Sequence, residues 1–560
     1  MSRQKNLKRN LLICLLAGSA VMYTLPLHAA TSVVANNALP QGWNSITHNH
    51  EITSGGLEMN ITQSDGNGVI KWDSFNVGGS ATVNFKGPET GYNTLNYVNV
   101  GGGMSQIYGT INANNNGNIF IVNPAGVQIG NSAQINVGSL YVSNKYLNEN
   151  KLGDFAGAIT QEMIDSTKTP DAALMSLGNI NATNVTFEGD GRIVIDSERI
   201  KNAAGEKQLG YQNINITTAD NNTGNVIIGY EAYDEDKKTY AGANGNTEKD
   251  RIATINDDDY ITKADGYMWV EDVEQLQAIN TNLGGNYALR NSIDATSTEQ
   301  NGFKAIGSHN YAFKGKFDGI DYNIFGLNIN NLGKDNAGLF GVTDSAVINN
   351  VTLVGGKITG GSDVGAIVGE ATNGTQINNV INSAVVSGDA EVGGIVGSLI
   401  NSTVTNAVNT GTVTSKGETD IAEGVTASNA GGLIGHMNNG KLLGDSYNLG
   451  AVTGQKANVG GLVGYAVNSY IGDGKNLVYN RLDVEGAYNV GGIVGNMEGT
   501  TVQNAENSGN VTATSFDVDG GYTYHSAQYH GEKTEKVNVA NVGGIAGKAD
   551  DTVKTDDKKV

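Results

Sequence analysis

Disulfides do not hold this 560-residue chain together, because its single cysteine, Cys14, lies inside an N-terminal apolar run. Proline is almost as scarce. The five prolines, Pro26, Pro40, Pro88, Pro124 and Pro170, all fall in the first third, so the remainder keeps every backbone donor free for strand ladders. Basic residues are outnumbered, 35 Lys and Arg against 56 Asp and Glu, for a net charge of −21. A surface of that sign argues against nucleic acid or an anionic membrane as partner. After residue 22 no long apolar run occurs, which excludes a further membrane-spanning helix. His-Glu-x-x-His is absent as well, and with it the commonest zinc-peptidase signature.

The first residues read as a leader. Arg3, Lys5, Lys8 and Arg9 precede the apolar run 11–22, and Leu27-His28-Ala29 offers a small-residue cleavage site, so residues 1–29 are expected to be a signal peptide. Without those four basic residues the charge falls to −25, 31 Lys and Arg against 56 Asp and Glu. The mature chain is then exported without any cysteine, and its stability must come from length and stacking.

What the chain has in abundance is glycine, 78 residues, and much of it is periodic. A Gly-bracketed aliphatic motif recurs seven times, ending at Gly341, Gly369, Gly397, Gly435, Gly464, Gly495 and Gly547. The steps of 28, 28, 38, 29, 31 and 52 residues define a unit of about 28 to 31, with insertions in the third and sixth steps. A second pattern, Asn-x-x-Asn-x-small-x-Val, runs through 379–386, 406–413 and 504–511, with a variant at 445–452. Short β-branched stretches cut by Gly and Asn are strand-and-turn sequence. The expected fold is an all-β solenoid of parallel strands with a short capping helix and loops outside the stack. Val386, Val413, Val452 and Val511 should form one aliphatic ladder, and Ile395, Leu433, Leu462 and Ile493 another. The asparagines are expected in a stacked ladder or in left-handed turns, not as ligand groups.

Residues 30 to 143 carry ordered blocks of a different kind: Trp72-x-x-Phe75-Asn76-x-Gly78, then Ser105-Gln106-x-x-Gly109, then Asn123-Pro124-x-Gly126 within an apolar stretch. In order and spacing this segment resembles the haemagglutination-activity domain of filamentous haemagglutinin-like exoproteins, the secretion domain of two-partner systems. It departs in carrying Ala125 where the family usually has Asn, and in lacking a second Asn-Pro-Asn-Leu block. The resemblance implies a right-handed parallel β-helix and export by the general secretory route. It also implies an outer-membrane β-barrel transporter as partner, which an absence of disulfides suits. Read physically, Asn123 to Gly126 is a turn between two apolar strands, either a corner of the stack or a transporter contact.

Beyond it, residues 154–164 are expected as a short helix on the side of the stack, and the polar stretch 230–259 as a linker. Val270, Val273, Leu276 and Ile279 fall on one helical stripe, expected to be the cap. The segment 267–324 and the Gly-aliphatic repeats after it resemble the GLUG-repeat region of large bacterial surface proteins, some immunoglobulin A metallopeptidases among them. There the repeats are implied to be a stalk. The expected organisation is a leader at 1–29, a secretion domain at 30–260 and a cap and lead-in at 261–337. A repeat solenoid at 338–547 and a charged, disordered tail at 548–560 complete it.

Chemistry is thin. His48-x-His50-Glu51 and the pair His525 and His530 read as surface polar residues, and the acidic runs at 257–259 and 517–519 lack the other ligands of a calcium loop. The expectation is no catalytic, metal or cofactor site and no enzyme activity. The favoured function is a secreted or surface-exposed adhesin that binds host-cell or bacterial surface glycan or protein and associates with the outer membrane. A β-helix carbohydrate-active enzyme, a polysaccharide lyase or hydrolase, is the alternative. The two insertions leave the unit at one point, after Thr414 and after Thr512, and the longer holds Phe516, Tyr522, Tyr524, His525, Tyr529 and His530. It is the candidate ligand-binding loop, its alternative being a tolerated surface loop.

Overall fold

Runs of three to five alternating residues between glycines are too short to pair as long hairpins, and here they pair with the equivalent run of the next repeat. The structure, a computed structural model, describes residues 34–170, 172–201, 214–218, 226–240, 254–257, 260–263, 266–417, 428–513, 527–529 and 542–549. Successive coils of the N-terminal half place one strand on each of three parallel sheets. One sheet stacks Ile111, Ile135, Ile180 and Ile200. A second stacks Ile119, Leu140, Val185 and Ile214, and the third Val127, Leu174, Ile193 and Val226. All twelve side chains are buried.

The outer face of the second sheet is apolar too, and residues 147–164 cover it. Val69, Leu95, Tyr97 and Val122 pack there against Leu147, Leu152, Phe155 and Met163. The helix expected at 154–164 does not form. Two 3-10 turns, Glu149–Asp154 and Gln161–Met163, take its place, because Leu152, Phe155 and Met163 dip separately onto the sheet and Gly157 turns the chain with a φ of +93° between them.

Parallel pairing continues through the expected boundary at 260. Ile228 lies beside Gly266, Met268 beside Tyr287, and Tyr287 beside Phe317. The expected helix is present as Val273–Ala278, capped by Asp272, whose carboxylate accepts from the Gln275 N–H. It is not an end cap: Gly266–Val270 before it and Asn286–Leu289 after it are adjacent rungs of one ladder, so the helix closes the side of a coil. Val270, expected on its stripe, belongs to the strand. The N-terminal end of the stack is instead finished by antiparallel strands. The hairpin His50–Gly55 with Glu58–Gln63 ends one sheet and Gln41–Ser45 ends another, which blunts edges that would otherwise template further pairing.

In the repeat half Val386, Val413, Val452 and Val511 form the expected ladder, with Val484 as a further rung. The Ile395, Leu433, Leu462, Ile493 column is likewise continuous and buried. Both asparagine readings hold at once. Asn350, Asn379 and Asn406 take left-handed φ values of 57°, 56° and 55° at a bend in each coil. Asn382, Asn409, Asn448, Asn480 and Asn507 form an inner ladder whose amides donate rung to rung over 2.8–2.9 Å. A second amide ladder joins Asn429, Asn458 and Asn489.

Candidate functional site

The ordered N-terminal motif is brought together around neighbouring corners of the stack. Trp72 and Phe75 are fully buried with their rings edge to face at 5.5 Å, and the Trp72 indole N–H donates to Asn96 Oδ1 at 3.0 Å. Asn76 Oδ1 accepts from the Gln106 backbone, while Gln106 Oε1 accepts from the Val34 N–H and so ties down the first described residue. Asn123 is wholly buried; its Nδ2 donates to Gly103 O and Ser105 Oγ, and its Oδ1 accepts from the Ala125 N–H. Pro124 is buried behind it and Gly126 takes a φ of +99° to complete the turn. Side chains at Gly78 and Gly109 would run into neighbouring backbone carbonyls. Asn76, Ser105, Gln106, Asn123, Pro124 and Gly126 therefore lock the corner between the second and third sheets across consecutive coils, while Gly78 and Gly109 lie at the next corner, after the third-sheet strand. Their spacing in sequence follows the coil length.

His50, from the N-terminal His-x-His, sits between Ser45 Oγ at 2.8 Å and Gln63 Oε1 at 3.1 Å, and burial lowers its pKa. Two arginine–carboxylate clusters lie where the N-terminal coils meet the repeats. Arg290 pairs with Asp196, Glu231 and Glu271, and Asp196, with no exposed side-chain surface, also takes Arg199 at 3.2 Å and the Trp269 indole N–H. Arg192 pairs with Asp318, which accepts in addition from Asn350. Burial pushes both aspartates up in pKa and the arginines pull them down.

Of the candidate loop, Phe516, Tyr522, Tyr524, His525 and His530 lie outside the described residues. Tyr529 ends the strand Ala527–Tyr529, antiparallel to Val511–Ala513. The strands from which the two insertions depart, Val413–Ser415 and Val511–Ala513, do occupy one column.

A feature that the motif search passed over lies on the outside of the bend. Val380 and Ala407 point into the core, whereas Ile381 and Val408 belong to a separate apolar cluster with Val354, Tyr447 and Leu449. Their row continues as Tyr447 and Tyr479, half-buried and stacked at 4.3 Å with 27° between the ring planes. The exposed Arg481 guanidinium lies 5.6 Å from the Tyr479 ring centre. The signal was an aromatic at the third position of the Asn-x-x-Asn frame, Tyr447 in 445–448 and Tyr479 in 477–480, where 379–382, 406–409 and 504–507 have Ile, Val and Glu.

Among known proteins, the model of the TPS secretion domain matches residues 40–301. The M26 IgA1-specific metallo-endopeptidase N-terminal region matches residues 259–384. A heme/hemopexin-binding protein of Haemophilus influenzae is 30% identical over 163 residues, 29% of this chain and 18% of that protein. An immunoglobulin A1 protease of Streptococcus sanguinis is 29% identical over 278 residues, 49% of this chain and 13% of that protein. The chain thus spans less than a fifth of either relative. The solved HMW1 secretion domain from Haemophilus influenzae aligns at a TM-score of 0.23 and 13% identity, over 84% of this chain and 97% of that one.

Residues 40–301 are a two-partner secretion domain, and over that part the chain is similar to exoproteins of the filamentous haemagglutinin-like kind. That domain implies an outer-membrane transporter as partner and export across the outer membrane of a Gram-negative bacterium. The expectation of no enzyme activity is corrected: the match at 259–384 and the immunoglobulin A1 protease relative point to a protease relationship, through a metallo-endopeptidase N-terminal region. The absence of His-Glu-x-x-His does not weigh against this relationship, because an N-terminal region need not contain the catalytic motif of the whole protein.

Proposed function

We propose that this chain is a right-handed parallel β-helical adhesin, exported through its barrel partner and held at the cell surface, where the repeat half contacts host-cell or bacterial ligands. The observation that carries the reading is the secretion-domain match over 40–301. In this reading the leader ends near residue 29, and the corner lock from Trp72 to Gly126 forms as the chain emerges. Folding outside the cell would favour forward movement, since each coil completed on the far side cannot slip back. The repeats beyond 338 are then a stack that lifts a binding surface from the cell. The test is deletion of the outer-membrane barrel transporter that the secretion domain would require. Mature protein should vanish from medium and surface; undiminished export would overturn the reading.

A second reading rests on the match at 259–384. The repeat half would serve a peptidase of the immunoglobulin A1-cleaving type, as the arm that engages substrate. Binding of immunoglobulin A1 to the exported protein, measured by surface plasmon resonance, tests it, and no saturable binding would count against it.

A further inference from the structure

The bend just beyond the secretion domain carries two residues that stacking does not need. Asp318 lies beside Asn349 and Asn323 beside Thr352, so four residues, 319–322, span the bend where the next coil uses two, Asn350 and Val351. The extra length forms a tight turn in which the Tyr322 N–H donates to Gly319 O at 2.8 Å. Its two central residues, Ile320 and Asp321, take left-handed φ values of 45° and 59°. Turns of that hand favour Asn and Gly, and a β-branched residue in one is strained. Such strain persists only where the surroundings hold it. Here Ile320, 1% exposed, plugs the outer face of the third sheet in one cluster with Leu177, Val194, Ile227, Tyr267 and Ala288, and Tyr322 packs beside it. At the base of the turn Asp318 pairs with Arg192 and accepts from the Ile320 N–H at 2.8 Å, while Asp321 lies 3.7 Å from the same guanidinium. Arg192, Val194 and Ile227 belong to the secretion domain, whereas the turn comes from beyond its end at 301.

We propose that residues 318–322 are a strained clasp over the apolar outer face of the secretion domain, with the Arg192–Asp318 pair as its catch, and that the clasp opens in the native protein while the stack stays folded. Opening returns the backbone strain, whereas each rung beneath is held by ladders on both sides, so the clasp is the looser element. It need break only the bond from Tyr322 to Gly319, the bond from Ile320 to Asp318 and the contacts with Arg192, because the pairings of Lys316–Asp318 and Asn323–Phe325 lie outside the turn. The open state bares Val194, Ile227 and Tyr267, an apolar strip that the closed protein hides. The turn also follows in sequence everything it covers. In a chain that folds from its secretion domain onward, that strip therefore stays bare until residues 318–322 arrive, and the clasp closes last.

Beyond residue 14 the chain contains no cysteine, so a single one placed under the clasp reports its opening. Val194→Cys and Ala288→Cys, made separately in the full-length exported protein, are exposed to a maleimide without denaturant, with Val396→Cys in the repeat core as the reference; all three positions are fully buried. Both thiols under the clasp should react at least about tenfold faster than the reference. Adding Arg192→Met should accelerate them by about tenfold or more, since opening then hydrates a carboxylate left without its cation. Adding Ile320→Ala, which removes the plug and leaves the catch, should accelerate them by a similar factor. Hydrogen exchange in Ile193–Asp196 and Lys316–Asp318 should remain protected throughout, which separates opening of the clasp from unfolding of the coil. Thiols as slow as the reference in all three backgrounds, or labelling that accelerates only together with loss of protection in those strands, would overturn the clasp.

Discussion

At the residue scale, two sequence patterns that look independent are one packing arrangement. The second glycine of the Gly-Gly pairs lies against the inner asparagine ladder: a Cβ at Gly394, Gly432, Gly461 or Gly492 would enter Asn409, Asn448, Asn480 or Asn507 and a neighbouring carbonyl. Gly432→Ala should therefore cost about 1–3 kcal/mol by overpacking, read as a lower urea midpoint at unchanged slope. Asn448→Asp should cost more, because a buried carboxylate there cannot donate to Gly450 O and Asn480 Oδ1 as the Asn448 amide does. His436 shows the sign of a buried base. Burial beside the stacked Tyr465 lowers its pKa below the usual 6.5, so the folded protein binds fewer protons than the unfolded chain there. The stability it contributes is complete above about pH 6.5 and is lost as pH falls below that value. Amide protection factors in Ile434–Asn438, corrected for the pH dependence of intrinsic exchange, should fall between about pH 7.5 and 5 in the native protein, and His436→Phe should flatten that change.

At the scale of elements, each strand is two to nine residues long and gains its stability from the rungs on either side. Val396, fully buried between Val368 and Ile434, illustrates this. Val396→Asp buries an unpaired charge at a cost of several kcal/mol, and the damage should be greatest in the adjoining rungs. Hydrogen exchange should rise in Val368–Thr372 and Ile434–Asn438 while Asn118–Val122 stays protected. Uniform loss of protection over the whole chain would contradict local stacking. The helices were the least legible elements. An apolar spacing at 154–164 matched a helical period, yet an apolar sheet face selected separate contacts in its place; at 273–278 the period was right and its role as an end cap was not.

At the scale of the molecule, secretion domain and repeats share one continuous stack, and the two family matches overlap at 259–301, where Gly266–Val270, the helix and Asn286–Leu289 lie. Arg290 closes that junction from outside. Arg290→Met should cost about 3 kcal/mol by leaving Asp196 buried with fewer partners, and Asp196→Leu added to it should recover much of the loss. Chemical denaturation of the single and double variants checks the order.

Repeat length, the valine and isoleucine ladders, the secretion motif and the absence of disulfides were legible in the sequence alone, because each depends on a period or a local turn. The outer row at Tyr447 and Tyr479, the bonds from Asn123 to Gly103 and Ser105 of the coil before, and the arginine clusters at the junction were not, although the turn at Asn123 to Gly126 was. Tyr447 and Tyr479 are separated by a full coil, and Arg192 and Asp318 by 126 residues. No local pattern encodes which residues meet when coils stack, since insertions such as residues 472–477 change the count between equivalent positions. Only the register of the folded strands decides it.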